Sequence, residues 1–186
     1  FAVTPGDAAT YRSSTLNWAG AGDVIDNGQL VKLDANRQIK VFNGYGPPTN
    51  LVVEVLGYFT PSVGATDGTY FHALDPVRAY DSRAAQPDPG AVAGGSTRRV
   101  AIADGRDITT GAVTVADVIP VGTPSIVYSI TATDTTSRGW FSVTPGDVSD
   151  QLTTSINWPD AGDVVANGLT GAVDGQRNIN VRSGSP

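Results

Sequence analysis

The sequence predicts an all-β fold, a β-sandwich or a jelly-roll-like barrel, with a tandem repeat of about 140 residues seen out of frame. Three observations support this prediction. Short runs of Val, Ile, Thr and Tyr alternate with clusters of Gly, Pro, Asn and Asp, which is typical of strands joined by turns. No segment keeps the apolar spacing of an amphipathic helix over several turns. The third observation is that the sequence repeats itself.

The start of the chain returns near its end without a gap. Residues 1–7 (FAVTPGD) are matched by residues 141–147 (FSVTPGD), 140 positions later. In the same alignment, about 19 of the first 44 positions are identical to their counterparts. Repetition at a fixed, domain-sized spacing indicates consecutive copies of one folding unit. The chain is therefore interpreted as part of an extended array of domains.

The first part of the chain contains a regular series of turn and strand signals. Residues 4–7 predict a type II turn with proline and glycine at its two central positions. The Asn-Gly pair at 27–28 lies between apolar runs and predicts a β-hairpin. Residues 34–37 predict a turn leading into a strand at 38–42. The dense apolar run at 51–59 predicts a strand that is buried on both faces.

The second part of the chain continues the same pattern. A stretch rich in Pro, Gly and Ala over residues 84–95 has no periodicity and predicts a loop. Strands are predicted at residues 77–80, 99–103, 112–116, 126–133 and 140–143.

The repeat also predicts the domain boundaries. Residues 1–60 form the back part of one unit, and residues 61–70, which are poor in apolar side chains, form a linker. Residues 71–186 form the front and middle of the next unit and lack its closing strand. A sheet without one of its strands exposes backbone groups and an apolar face, so another strand is expected to add to it.

The composition excludes several classes of function. The net charge of −6 argues against a nucleic-acid surface, which needs clustered Lys and Arg. No apolar run approaches the roughly 20 residues that span a bilayer. Cysteine is absent, which excludes disulfides and thiolate catalysis. His72 is the only histidine, so neither a serine triad nor a histidine metal site is expected.

No metal site or cofactor is predicted from the aspartates. They lie near Gly or Asn but are too far apart in sequence to supply one calcium loop. We expect turn-forming aspartates, whose side chains accept hydrogen bonds from nearby backbone amides.

Three motifs mark the two ends and the middle of a unit. They are residues 76–83 (PVRAYDSR), residues 14–18 (STLNW) with DNG at 26–28, and residues 52–59 (VVEVLGYF). Together they resemble a repeat family of secreted and cell-surface proteins of actinobacteria, whose units open with Pro-x-Arg-x-x-Asp-Thr-Arg and close with Val-x-Val-Asp-Val-x-Gly-Tyr-Phe. The resemblance implies non-catalytic modules in an extracellular or cell-surface location, or in a phage appendage.

The residues that most suggest chemistry are Arg78, Asp81, Arg83 and Glu54. Two arginines and two carboxylates could bind an anionic ligand, or could flank a glycosidic bond as acid and base. The interpretation that we favour is a buried structural ion-pair network between the opening and closing strands. Bidentate Arg–carboxylate pairs are the usual way in which a fold tolerates such buried charges.

The aromatic residues provide the alternative binding hypothesis. Trp140 and Tyr45 lie beside predicted turns, where exposed rings could stack on a sugar. Trp18 and Trp158 share one position of the repeat and are expected to fill the core beneath a loop.

These observations predict a structural or adhesive repeat module of an extracellular fibre or surface protein, without enzymatic activity. Its expected partners are copies of itself or neighbouring repeat units, which assemble head to tail by strand completion. Alternatively, residues 51–59 complete the sheet of their own chain. A carbohydrate-binding module that recognises a surface glycan is the alternative function, and a glycosidase is the third.

Overall fold

A computed structural model describes residues 1–11, 14–44, 46–55, 70–150 and 153–184 of the chain. These residues contain strands and no helix, so the predicted all-β fold is confirmed. In chain order the strands are β1 (Ala2–Pro5), β2 (Ile39–Phe42), β3 (Thr97–Ala101), β4 (Gly105–Arg106), β5 (Val113–Val115), β6 (Ser125–Ala132), β7 (Gly139–Pro145), β8 (Ile156–Trp158), β9 (Val165–Ala172) and β10 (Asn178–Gly184).

Every strand pairing among the described residues is antiparallel. The largest sheet has four strands in the order β3-β10-β7-β8. Three two-stranded sheets pair β6 with β9, β4 with β5, and β1 with β2. Strands β7 and β10 lie in the middle of the large sheet, so their register positions most of the second half of the chain.

The core lies between the four-stranded sheet and the β6–β9 pair. Val100, Ile179 and Val181 of the large sheet are buried, and Ile126 and Tyr128 of β6 pack against them. Side chains along β6 alternate between exposed and partly buried positions, as expected for a strand with one face in the core. The two sheets therefore form two packed layers.

The two repeated segments have the same strand register. Val3 of β1 pairs with Val41 of β2, and their counterparts Val143 and Val181 pair in the same way in β7 and β10. Each strand proline is followed by a glycine, Gly6 or Gly146, whose backbone amide donates a 3.0 Å hydrogen bond to the partner strand's side of the turn. The acceptor is the carbonyl of the residue just before the partner strand in the first case, and of the first residue of that strand in the second.

An aspartate organises the turn before the second strand in both segments. Asp34 Oδ1 accepts hydrogen bonds of 2.8 Å from the backbone amides of Asn36 and Gln38. The counterpart Asp174 accepts the corresponding bonds, of 2.9 and 2.7 Å. These are the turn-forming aspartates that the sequence predicts, and they explain why this position is kept in both copies.

The predicted type II turn at residues 4–7 is displaced by one residue. Pro5 is the last residue of β1, and the backbone amide of Ala8 donates a 3.1 Å hydrogen bond to the Pro5 carbonyl. Gly6 and Asp7 are therefore the central residues of the turn. Proline fits the end of a strand because its missing N–H leaves no ladder bond unmade there.

The prediction of an Asn-Gly hairpin at 27–28 is wrong. Asn27 and Gly28 lie in a segment without strand assignment, and their counterparts Asn167 and Gly168 lie inside β9. The buried Asn167 side chain donates a 2.8 Å hydrogen bond to the carbonyl of Ser155. Asparagine is thus used here for its side-chain amide, and strand pairing overrides its turn propensity.

The predicted closing strand is not formed over its described part. Residues 51–55 are exposed and have no strand assignment, because no described strand pairs with them. Residues 56–69, which include the rest of this strand and the predicted linker, lie outside the described residues. Residues 77–80 also form no strand, whereas β2, β3, β5, β6 and β7 overlap the other five predicted strands.

The two copies offer a matched test of the asparagine bridge. We expect Asn167→Ala to lower the free energy of unfolding by about 1–3 kcal/mol, because it leaves the buried carbonyl of Ser155 without its donor. The control is Asn27→Ala, whose side chain donates the equivalent 2.6 Å hydrogen bond to the Thr15 carbonyl at an exposed position. Water can replace the lost donor there, so a smaller loss, below about 1 kcal/mol, is expected. Urea denaturation followed by tryptophan fluorescence measures both. Equal effects in the two copies would contradict the expected contribution of burial, because both asparagines make the bond.

Candidate functional site

Asp81 lies at the centre of the arginine cluster that the sequence singled out. Arg83 donates to both carboxylate oxygens, from Nε at 2.9 Å and from Nη2 at 2.8 Å. Arg78 Nη1 donates to Oδ2 at 2.8 Å. The hydrogen bond from the Arg83 side chain is the main reason that the pKa of Asp81 is lowered to about 2. Asp81 is therefore charged at neutral pH and saturated with donors.

The burial of this cluster is uneven. The Asp81 side chain is 8% exposed, whereas those of Arg78 and Arg83 are 46% and 56% exposed. The network was predicted to include Glu54 as a buried charge, and this part of the prediction is wrong. Glu54 is exposed and makes no ion pair with any described residue.

A second group of contacts connects this cluster to the large sheet. Nη1 of Arg98, on β3, donates a 2.7 Å hydrogen bond to the Tyr80 hydroxyl. This hydroxyl donates a hydrogen bond of 2.7 Å to the carbonyl of Asp88. Burial raises the pKa of the Tyr80 hydroxyl above its ordinary value, so it remains a donor. Arg98 Nε also pairs with Asp88 Oδ2 at 3.0 Å. The polar contacts thus hold the predicted loop at 84–95 against β3.

The two tryptophans of the second copy cover glycines on neighbouring strands. Trp158 pairs across the sheet with Gly139, and Trp140 pairs with Gly184. Any Cβ on either glycine would collide with the indole ring. Aromatic rings placed over strand glycines fill the missing side-chain volume, so both tryptophans stabilise the sheet.

The aromatic positions differ in exposure. Trp158 is buried, as expected, and its Nε1 donates 2.8 Å to the carbonyl of Ser137. Trp18 and Trp140 are half-buried. Tyr45, the other residue predicted to stack on a ligand, lies outside the described residues. Of the two residues predicted to stack on a ligand, only Trp140 therefore lies in the described part of the chain.

Trp140 borders an open cleft of about 430 Å³ between the two repeated segments. The cleft also has polar groups suited to hydroxyl recognition, among them Arg138, Asn157 and Asp160. Its wall from the first segment is formed by residues 21–24. An aromatic ring beside a mixed polar rim is the arrangement expected for the carbohydrate-binding alternative.

The two repeated segments also contact each other directly, which the sequence did not predict. Asn157 Nδ2 donates a 2.6 Å hydrogen bond to Asp26 Oδ1. The Gly28 amide donates 3.1 Å to Asn167 Oδ1. The signal in the sequence is that Asp26 is replaced by Ala166 in the second copy. A position that differs between copies is a candidate for a contact that only one copy makes.

Asp26 is an electrostatically costly part of this contact. Its Oδ2 atom is buried without a hydrogen-bond partner among the described residues. Burial raises the pKa of Asp26, and the hydrogen bond from Asn157 only partly opposes this effect. The carboxylate therefore holds the two segments together less well when it is charged than when it is neutral.

Other residues considered from the sequence are not assembled into a site. His72 is exposed. Among the described residues, no three histidine or acidic side chains come together as potential ligands of a metal ion. The same part of the chain contains no helix that could cross a membrane.

Comparisons with protein families, with curated proteins and with solved structures found no match to this chain. The resemblance to actinobacterial surface repeats therefore rests on the three motifs in the sequence.

Asp81 provides a test that depends on pH. Its depressed pKa means that the ion pairs stabilise the fold above about pH 4 and that this stabilisation is lost as the pH falls through about 2. We expect Asp81→Asn to lower the free energy of unfolding by about 1–3 kcal/mol at pH 7, with a smaller difference at acid pH. The exposed Asp150→Asn is the control for denaturation across this range. A difference that does not change with pH would contradict the assignment.

Asp26 should show the opposite dependence on pH. Its raised pKa means that stability is highest when the carboxyl is protonated and falls as the pH rises through the folded-state pKa. We expect Asp26→Asn, which keeps an acceptor for Asn157, to raise the melting temperature at pH 7 and to have little effect below about pH 4. The exposed Asp7→Asn is the control. A lower melting temperature for Asp26→Asn at pH 7 would show that the charge itself is needed.

Proposed function

We propose that this chain is a non-catalytic structural or adhesive repeat module of an extracellular fibre or surface protein. The observation that carries the proposal is the pair of segments 140 positions apart that share strand register, turn hydrogen bonds and an aromatic pair. The rings of Phe1 and Trp18 are 5.0 Å apart, and those of Phe141 and Trp158 are 4.8 Å apart. Contacts of this kind preserve a backbone shape and supply no reactive group.

The charged residues support a structural role for the same reason. Asp81 has its donors from two arginines and from the Arg83 backbone amide, so little of the carboxylate is left to bind a ligand or to transfer a proton. Contacts such as Asn157 to Asp26 then supply a defined junction between consecutive copies. A surface fibre needs such junctions to keep its units at a constant spacing.

The cleft beside Trp140 favours one alternative function, a carbohydrate-binding module that recognises a surface glycan. Trp140 is half-buried and lines this cleft, so part of its indole ring is available for stacking. Arg138, which makes no ion pair with a described residue, is placed on the same cleft and is suited to sugar hydroxyls.

Immunogold electron microscopy of the cells or particles that produce the protein tests the principal proposal. Antibodies against the chain are expected to label extended structures outside the cell envelope, with repeated label along each one. Label confined to the cell interior would contradict the proposal. Cells lacking the gene serve as the control.

A glycan array, followed by titration of tryptophan fluorescence, tests the alternative. If the cleft binds a sugar, Trp140→Leu and Arg138→Ala should each weaken binding at least about tenfold, as expected for the loss of a stacking or charged contact. Trp18→Leu is the control, because Trp18 does not line the cleft. The absence of binding to every glycan, or equal losses for all three variants, would count against the alternative.

A further inference from the structure

Strand β2 of the first copy has a free edge that its counterpart β10 uses in the second copy. Strand β10 pairs with β7 on one side and with β3 on the other, whereas β2 pairs with β1 alone among the described residues. Lys40, the one charged residue of β2, donates a 2.6 Å hydrogen bond from Nζ to the Ala8 carbonyl, beyond the end of β1. The other edge of β2 therefore presents backbone groups to which a strand can add.

The apolar face of β2 is also less covered than that of β10. Ile179 and Val181 of β10 are 6% and 7% exposed, in a core that β3 and β6 complete. Their counterparts Ile39 and Val41 are only half-buried. Leu33, whose counterpart packs on the same core of the second copy, is 46% exposed. The first copy thus keeps an apolar surface that strands of the second copy cover.

Asp34 has one carboxylate oxygen without a partner beside this edge. Its Oδ1 atom accepts from the turn amides, but Oδ2 makes no hydrogen bond or ion pair with a described residue. In the second copy, the equivalent oxygen of Asp174 accepts a hydrogen bond from Arg99 of β3. Asp34 therefore presents an acceptor at the position to which a strand equivalent to β3 would bring an arginine.

Arg37 presents the opposite charge in the same turn. Arg37 and its counterpart Arg177 have φ of 61° and 62°, so the two turns have the same backbone conformation here. Arg177 Nη1 donates 2.7 Å to Asp117 Oδ1 and 2.8 Å to the carbonyl of Ile119. The Arg37 side chain is exposed and has no partner among the described residues. Residues 97–119 thus satisfy both charges of the second copy and neither charge of the first.

We propose that the free edge of β2 binds the front segment of another repeat unit, that is, a chain equivalent to residues 97–119, in the register that β3 has on β10. In this register the equivalent of Val100 lies opposite Ile39. An arginine of the front segment then pairs with Asp34, and an aspartate pairs with Arg37. The second copy of the chain is the structural template for each of these contacts.

The chain itself does not supply this strand in its described part. Its own front segment is engaged, because residues 97–101 pair with β10 and Asp117 binds Arg177. A second molecule with the same fold engages its front segment in the same way. Residues 51–55 and 70–77, which also form no strand, contain no arginine to pair with Asp34. The partner is therefore a front segment that is not folded onto a β10 of its own.

This inference deepens the proposed function and rests on it, because it names the surface and the kind of partner through which repeat units join. It also agrees with the prediction from the sequence that residues 1–60 form the back part of one unit.

Fluorescence anisotropy with a labelled synthetic peptide of residues 95–120 tests the contact on the full chain. The peptide should bind, and Arg99→Gln in the peptide should weaken binding at least about tenfold, because Asp34 loses its charged partner. Ile108→Glu, which changes the peptide charge equally at a position exposed in the second copy, should bind like the unmodified peptide. No binding, or equal losses for the two altered peptides, would overturn the proposal.

A charge reversal locates the binding site on the chain. Arg37→Asp, which keeps a residue that tolerates positive φ, should weaken binding of the unmodified peptide, and Asp117→Arg in the peptide should restore it. Lys32→Asp, the same change of charge at another exposed position, is the control and should not favour the Asp117→Arg peptide. Equal binding of the two peptides by the Arg37→Asp chain would overturn the proposal.

Light scattering of the chain without peptide separates the partner from a second copy. A monomer is expected at all concentrations. Assembly that Arg37→Asp abolishes would show that a second copy occupies the edge, and would overturn the proposal. Failure of the edge contact is separable from failure of the proposed function, since surface labelling in the electron microscope without peptide binding would reject only the contact.

Discussion

The hydrogen bonds of one buried carboxylate fix the turn before β10 and connect it to the neighbouring strand β3. Asp174 Oδ1 accepts from the backbone amides of Gln176 and Asn178, and Oδ2 accepts from Arg99 on the neighbouring strand. Burial raises the pKa of Asp174, but the hydrogen bonds from Asn178, Gln176 and Arg99 outweigh it and lower the pKa overall. Because the turn starts β10 at Asn178, it determines which residues of β10 face the core.

The identities between the two copies follow these local contacts. Residues kept in both include the turn aspartate, the arginine three positions later at positive φ, and the glycine whose Cβ would collide with the turn carboxylate. Positions that differ include those with different neighbours, such as Asp26, which contacts Asn157, and its counterpart Ala166. The residues kept in both copies preserve one backbone shape, whereas Asp26 and Ala166 differ where only the first copy makes the contact with Asn157.

Two open depressions remain on the described surface after the core is formed. The Trp140 cleft lies between the two repeated segments, whereas the groove beside β9 is lined by residues of the second half of the chain together with Val55. The first combines an aromatic ring with polar side chains, and the second has a mostly apolar lining.

The sequence by itself determined the all-β class, most strands of the second copy, and the association of Arg78, Asp81 and Arg83. These features depend on alternation and on residues close together in the chain, so local physics was sufficient. Only the tertiary structure decided that Asn167 and Gly168 belong to a strand, that Glu54 is exposed and that Asp26 contacts Asn157. Each of these features depends on which distant segment of the chain becomes a neighbour. Burial and backbone hydrogen bonding between strands determine that neighbour. Turn propensity and the spacing of residues in the sequence do not specify it.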